Sequence, residues 1–348
     1  MFESLMFDVH DLKNYVVRFF SAWGVPEIDA QIAADVLVTA DLRGINSHGV
    51  IRLHSYYGDR LRQGHIDPHS PLTVLNESAA TLALDGGNGL GQVVAYRAMS
   101  RCIELADAAG LAITTVRNSN HFGIAGYYAM MALPEDMIGI SLTNSRPLVT
   151  PTFALKPVLG TNPIAVAVPA GEERPYVLDM ATSIVPRGKV AVYQKAGQPI
   201  PDGWGINQQG QTTRKPEEIL MGGALLPLGG SAEMRGYKGY GLSLLVDLLS
   251  GVLSGAAFGL DVGAPGSERN ANVGHFFAAI KIENFRPVDA FKADMDQMIH
   301  TLKTTEKIPG QERIYIHGEK EFELADRYQE EGVPLMKEVV KSLREAGE

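Results

Sequence analysis

The side chains best suited to chemistry in this 348-residue chain fall in short polar runs. The first is Ser47-His48-Gly49, followed by Arg52 and Tyr56. An imidazole exchanges protons near neutral pH, and a guanidinium holds a carboxylate through two parallel hydrogen bonds. His48, Arg52 and Tyr56 recur at every fourth position, so a helix over 47–60 puts them on one face, about a turn apart. That stripe unites an acid/base, an anion clamp and a phenol, with Ser47 either capping the helix or orienting the imidazole. The same spacing also describes a solvated polar face behind an ordinary cap.

Asn118-Ser119-Asn120-His121-Phe122-Gly123 follows an apolar stretch over 111–116 that reads as a strand. Polar residues and a glycine where a strand gives way to a helix make a ligand-binding corner whose backbone amides can hold phosphate. His121 is either part of that corner or a capping histidine. Thr143-Asn144-Ser145-Arg146-Pro147 and Gly160-Thr161-Asn162-Pro163 are polar turns beside apolar runs, and such residues are common turn formers. Asp179-Met180-Ala181-Thr182 closes a short apolar strand, where Asp179 either binds a ribose hydroxyl or caps the next helix. In Gly236-Tyr237-Lys238-Gly239-Tyr240-Gly241 the glycines permit close backbone approach and Lys238 adds a charge suited to phosphate, against the alternative of a solvated lysine. His317-Gly318-Glu319-Lys320 is a further loop, for a ligand or for a plain turn.

Several chemistries are missing from the pattern. The glycines of Gly86-Gly87-Asn88-Gly89-Leu90-Gly91 do not follow the spacing of the Rossmann fingerprint, and there is no Walker A loop or His-Glu-x-x-His motif. Nine histidines without paired ligand spacing predict no metal site.

The elements that must position these runs follow from hydrophobic periodicity. Leu12, Val16, Phe19 and Phe20 mark a first helix that stops at Gly24 and Pro26. Further helices are expected over 28–43, 47–60, 92–109, 124–133, 240–253, 291–302, 319–329 and 335–345. Strands are expected over 81–84, 111–116, 138–142, 164–168, 176–178, 276–282 and 313–317. The expected organisation is a helical N-terminal part, 1–72, packed with C-terminal helices from 286–348, around an α/β domain over 73–285. The Gly/Pro-rich stretch over 197–230 reads as a long surface excursion of the kind often used for function or interfaces.

Bulk properties narrow the function. Apolar residues at 45% and charged residues at 20% fit an ordinary globular protein. A net charge of −9 with no dense basic stripe argues against nucleic acid, so an anionic ligand must be held by a few placed cations. The single cysteine, Cys102, can form no intrachain disulfide and reads as a buried filler. The N-terminus lacks a signal-peptide pattern, and the apolar run over 241–260 carries Asp247 and several glycines, so it reads as a buried core helix and not a membrane span. A cytoplasmic location is expected.

Taken together and in order, the motifs resemble the non-Rossmann malate/L-lactate dehydrogenase family. That family includes archaeal malate and sulfolactate dehydrogenases, ureidoglycolate dehydrogenase, diketogulonate reductase and piperideine-carboxylate reductase. The resemblance begins with Asp41-Leu42-Arg43-Gly44, runs through Ser47-His48-Gly49 and Arg52, and continues through 118–123, 160–163, 179–182 and Lys238-Gly239-Tyr240-Gly241 to His317-Gly318-Glu319. The wording of 143–147 and 222–230 is most similar to the archaeal malate dehydrogenase branch. The resemblance implies a homodimer of an unusual α/β fold that reduces a 2-oxo acid to a 2-hydroxy acid with NAD or NADP. It implies that His48 carries the proton with help from Ser47, and that His121 lines the cleft, being the base in some members. Arg52 would clamp the carboxylate, with Tyr56 and Thr161 facing the substrate. Ser145, Asp179, Met180, Ala181, Lys238, Gly318 and Glu319 would contact the dinucleotide. Where some members place an acid in relay with the histidine, this chain has Ala191, Val192, Tyr193 and Gln194. The alternatives are a diketo sugar acid or a cyclic imine as substrate or, in another class, a histidine-based hydrolase or lyase without a redox cofactor.

Overall fold

The structure, a computed structural model, describes residues 4–345 except 265 and 268. Its strands are β1 (Ser4–Phe7), β2 (Thr73–Glu77), β3 (Thr81–Asp85), β4 (Leu111–Ser119), β5 (Met137–Thr143), β6 (Ile164–Val168), β7 (Tyr176–Met180), β8 (Gly205–Ile206), β9 (Ala224–Leu225), β10 (Val273–Lys281) and β11 (Val333–Met336). The α-helices are α1 (Val9–Ala22), α2 (Glu27–Leu42), α3 (Asp59–Arg62), α4 (Gly91–Ala109), α5 (Ala125–Met130), α6 (Arg187–Lys195), α7 (Pro216–Leu220), α8 (Tyr237–Asp247), α9 (Val288–Thr304), α10 (Glu319–Glu331) and α11 (Lys337–Glu345).

Two cores organise the chain. α1 starts where the Asp8 carboxylate accepts from the His10 and Asp11 amides, and it turns Leu12, Val16 and Phe20 inward. Those side chains meet Ala30, Ala33, Leu37 and Val38 of α2, with Val333, Leu335 and Val339 from the C-terminal end. The opposite side of α2 sends Val36 into the second core, beneath the sheet. α2 is therefore buried on both faces and joins the helical layer to the sheet.

The central sheet has seven strands in the order β2-β3-β4-β10-β5-β6-β7. Only β3 and β4 run parallel, connected by α4, and the other neighbours are antiparallel. This mixed sheet is not the parallel doubly wound sheet of a Rossmann domain. No described helix is long and apolar enough to cross a membrane.

Several expectations are corrected. The helix expected over 47–60 is replaced by two 3₁₀ turns, Asn46–His48 and Val50–Arg52, then a π turn, Leu53–Gly58, before α3. Gly49 interrupts it with an extended ψ of −148°. The stretch 313–317 is not a strand: the His317 carbonyl accepts one bond from Val177 N at 3.0 Å, and no ladder continues it. The helix expected from 335 begins at Lys337, because Val333–Met336 pairs antiparallel with Ser4–Phe7. The excursion over 197–230 contains α7, β8 and β9 over a small core of Val149, Val190, Ile200, Ile219 and Leu225. Finally, the helix read as buried over 240–253 is α8 followed by a π turn, Leu248–Val252, and it leaves Leu245, Leu248, Val252 and Leu253 exposed.

Candidate active site

Asp41 sits at the C-terminal end of α2, where the helix dipole disfavours an anion, and it is 1% exposed. Its carboxylate accepts from Val50 N at 2.8 Å and from Asn46 Nδ2 at 3.0 Å, tying down the two 3₁₀ turns on either side of Gly49. A Cβ on Gly49 would lie 2.1 Å from Asp41 Oδ2, so only glycine fits. Burial pushes Asp41 up to about 7, against these two hydrogen bonds.

The turns so held present Ser47, His48 and Arg52 to one cleft. Ser47 Oγ lies 2.8 Å from His48 Nδ1, and Arg52 Nε donates to the Ser47 carbonyl at 2.8 Å. Burial and the Arg52 charge hold His48 down to about 4, so the ring is neutral at pH 7. Tyr56 and Tyr57 follow in the π turn, Tyr56 lining the cleft and Tyr57 wholly buried behind it.

The facing wall is built from strand ends. Beyond β4, Asn120 Nδ2 donates to the Asn88 and Gly89 carbonyls, locking the 118–123 corner onto the glycine-rich run that precedes α4. A Cβ at Gly91 would lie 2.3 Å from the Asn120 carbonyl, so that glycine serves close backbone packing. The corner delivers His121, whose ring stacks on His48 with centroids 5.4 Å apart and planes 19° apart. Tyr57 Oη lies 2.7 Å from His121 Nδ1, and Gly123 N donates to the same nitrogen at 3.3 Å. Beneath Phe122, the buried His275 stacks on its ring at 4.7 Å and bridges Ser119 Oγ and Thr143 Oγ1, each at 2.8 Å. Burial holds His275 down to about 3, keeping it neutral.

Past β5, Ser145 and Thr161 meet across the wall, with Thr161 N donating to Ser145 Oγ at 3.1 Å and Asn162 Oδ1 accepting from Ser145 N at 3.1 Å. The cavity enclosed is about 240 Å³, and His48, Arg52, Tyr56, His121, Ser145 and Thr161 all line it. Two cations that spacing did not place, Arg146 and Arg187, line it as well. Arg146 is held below its ordinary range by burial and then by the charges of Arg187 and Arg52.

A second cavity of about 310 Å³ is lined by Arg43, Asp179, Met180, His317, Gly318 and Lys320, among others. Asp179 accepts from Gly126 N at 2.8 Å, and burial raises it to about 6, opposed by that bond and by Arg43. Ala181 links the two cavities along the chain: Met180 lines the second, and Thr182 N donates to the carbonyl of Thr161 in the first. The second cavity offers a carboxylate for hydroxyl donors beside the cations Arg43 and Lys320, a donor set that suits a dinucleotide's ribose and phosphates.

Two expected site residues stand apart. Lys238 is exposed at the start of α8, and neither cavity includes it. Glu319 is 5% exposed and engaged elsewhere: Lys303 Nζ at 2.5 Å, Arg313 Nη2 at 3.2 Å and Ile316 N at 3.0 Å. No cluster of three or more potential metal ligands exists among the described residues. Spacing did not single out Asp41, Tyr57 or His275: His275 is a lone polar residue in an apolar strand, Tyr57 lies one residue off the His48–Arg52–Tyr56 stripe, and Asp41 sits at the end of an apolar helix.

The chain belongs to the malate/L-lactate dehydrogenase family, whose profile matches residues 7–344, and it is a dehydrogenase acting on CH–OH. It is 52% identical over 336 residues to a malate dehydrogenase of Pyrococcus abyssi, covering 96% of this chain and 92% of that one. An L-sulfolactate dehydrogenase of Methanocaldococcus jannaschii is 39% identical, over 96% of this chain and 94% of the relative. The solved malate dehydrogenase of Pyrococcus horikoshii superposes with a TM-score of 0.91 at 47% identity, over 99% of this chain and 97% of that one.

Proposed function

We propose that the chain interconverts a 2-hydroxy acid bearing a second acidic group and the corresponding 2-oxo acid, with NAD or NADP as redox partner. The observation that carries this reading is the trio of guanidinium groups, Arg52, Arg146 and Arg187, lining one cavity with His48 and His121. One guanidinium suffices for the carboxylate beside the oxo group. Two further cations, whose charges repel one another, call for a second anion. Malate with oxaloacetate fits, and so does a sulfonate analogue, in keeping with the names of the relatives.

Arg52 clamps the substrate carboxylate, and Tyr56 and Thr161 shape its surroundings. The dinucleotide, when bound, supplies or takes the hydride. Ser145 would flank its reacting end, while Asp179, Met180, Ala181 and Gly318 would hold its distal part. His48, held neutral by burial and by Arg52, takes the hydroxyl proton during oxidation. In reduction, a bound anion raises its basicity and it returns the proton to the oxo oxygen. Ser47 orients it.

The exposed apolar face of α8 supports a homodimer. Leu245, Leu248, Val252, Leu253, Phe258 and Leu260 form a patch that water disfavours and that a second copy would cover. Lys238 and its helix would then belong to the interface.

The test is nicotinamide absorbance decay with NADH and NADPH against oxaloacetate, sulfopyruvate, pyruvate and a cyclic imine. The expected outcome is a kcat/KM for one doubly acidic substrate about 100-fold or more above pyruvate. Arg146→Met should narrow that gap mainly through KM. A wild type that uses pyruvate as well as any doubly acidic substrate, or a gap that Arg146→Met leaves unchanged, would overturn the second-anion reading.

A further inference from the structure

We infer that Tyr57 is a positioning residue that fixes His121 as a permanent N–H donor to the substrate's oxo oxygen, leaving the proton transfer to His48. This rests on the oxidoreductase reading above and assigns unlike tasks to the two stacked histidines.

Gly123 fixes the tautomer of His121. Its backbone N–H points at His121 Nδ1 from 3.3 Å, and a backbone N–H can only donate. Nδ1 is therefore an acceptor. The Tyr57 hydroxyl, 2.7 Å from the same nitrogen, must then donate to it as well. With Nδ1 engaged by two donors, the single ring proton of the neutral imidazole sits on Nε2. A second proton on Nδ1 would set donor against donor at Gly123 N and leave buried N–H groups unsatisfied. Burial, followed by the charges of His48 and Arg52, holds the ring well below the ordinary histidine range in any case. The same burial holds the Tyr57 phenol well above its own range, so its proton stays on as the donor. The corner depends on Gly123, whose φ of +86° is left-handed and whose Cβ would meet Val36 Cγ1 at 2.6 Å.

His48 is held differently. Its Nδ1 meets the Ser47 hydroxyl at 2.8 Å, and a hydroxyl can turn to donate or to accept. Both protonation states of His48 thus keep a matched partner, which a proton carrier needs. In reduction, hydride reaches C2, the C=O π pair moves onto oxygen, and the proton on His48 follows it, leaving His48 neutral. His121 keeps its own proton throughout and stabilises the growing oxyanion by its Nε2–H hydrogen bond. Oxidation reverses each step.

The test uses the full chain labelled with ¹⁵N-histidine, with signals assigned by their loss in His121→Gln and His48→Gln. His121 should read as the neutral Nε2–H form from about pH 5 to about 9, and Tyr57→Phe should mix its tautomers or let it titrate. In turnover, His121→Gln keeps a neutral N–H donor and should retain activity well above His121→Ala. His48→Gln should lose about 10³-fold. Tyr57→Phe should lower kcat by about tenfold with KM little changed, and add a pH limb in the ordinary histidine range. A wild-type His121 that carries its proton on Nδ1, or titrates between those limits, overturns the inference. So does a His121→Gln variant as inactive as His121→Ala. The resonance measurement needs no substrate, so a titrating His121 in an enzyme that reduces 2-oxo acids defeats this inference alone. Absence of any turnover defeats the oxidoreductase reading instead.

Discussion

The two walls of the cleft hold their side chains by different means. The wall of strand ends, 118–123, 143–146 and 160–163, hangs from β4, β5 and β6, whose ladders already satisfy the backbone. Its polar side chains bond to the backbone of neighbouring turns, as Ser145 Oγ accepts from Thr161 N and Asn162 Oδ1 accepts from Ser145 N. The helical wall, 41–62, contains no long regular element; 3₁₀ and π turns follow each other, and one buried carboxylate, Asp41, ties the key turns together. On the proposed mechanism the regular wall fixes donors in place, and the irregular wall carries the group whose protonation changes. Irregular turns of this kind are where local sequence rules give way to function.

Removing the proton carrier from the irregular wall should therefore cost most. His48→Ala is expected to lower kcat by about 10³-fold or more, while dinucleotide affinity, measured by fluorescence titration, stays near wild type. Removing a fixed contact from the regular wall, as in Ser145→Ala, should cost about tenfold or less, because Asn162 and Thr161 keep the turn in shape. Comparable losses in the two variants would break the contrast between the walls.

The sequence showed the regular wall more fully than the irregular one. Strands 111–116, 138–142 and 164–168 announce themselves by apolar runs, so the polar stretches at their ends could be placed, although only 118–123 reads as a ligand corner and 143–147 and 160–163 read as common turns. His48, Arg52 and Tyr56 were also legible from their spacing, although the helix that suggested the spacing does not exist. Gly49 breaks it, and the π turn that follows brings Tyr56 back to the cleft. What stayed hidden depends on distant partners. The β1–β11 pair unites the two ends of the chain. A buried carboxylate leaves no periodic trace, and neither does the phenol of Tyr57, which lies one residue off the stripe. α8 misled for another reason: apolar side chains on all sides read as buried, but in a single chain half of that surface faces out.

A smaller perturbation asks how far the irregular wall depends on its single tie. Gly49→Ala forces a methyl into the Asp41 carboxylate, and neither a helix end nor a 3₁₀ turn can yield freely. The expected cost is about 2–3 kcal/mol of stability by urea unfolding, with a tenfold or greater loss of kcat/KM. The companion Gly91→Ala, set against the backbone of Asn120 and His121 on the other wall, should cost as much stability. Its catalytic loss should fall on the His121 donor, leaving the pH dependence of turnover unchanged.

The mildest test titrates the tie itself. Burial raises Asp41 to about 7 in the folded chain, far above an unfolded carboxyl. As pH falls through about 7, the native state takes up a proton that the unfolded state does not, so this group's contribution to stability grows on acidification until the ordinary carboxylate range is reached. Relative to Asp41→Asn, the wild type should gain about 1–2 kcal/mol between about pH 8 and about pH 5.5. Activity should move the other way. A protonated Asp41 offers an O–H in place of an acceptor to Asn46 or Val50, which loosens the turns carrying His48 and Arg52. In kcat/KM for oxidation, which reports the enzyme before substrate binds, His48 does not supply that decline, because burial and Arg52 hold it down to about 4 there. A fall in oxidation rate below about pH 7 that Asp41→Asn abolishes, together with a rise in stability over the same interval, would assign the limb to the tie. A limb that persists in Asp41→Asn would show the irregular wall to be held by something other than this carboxylate.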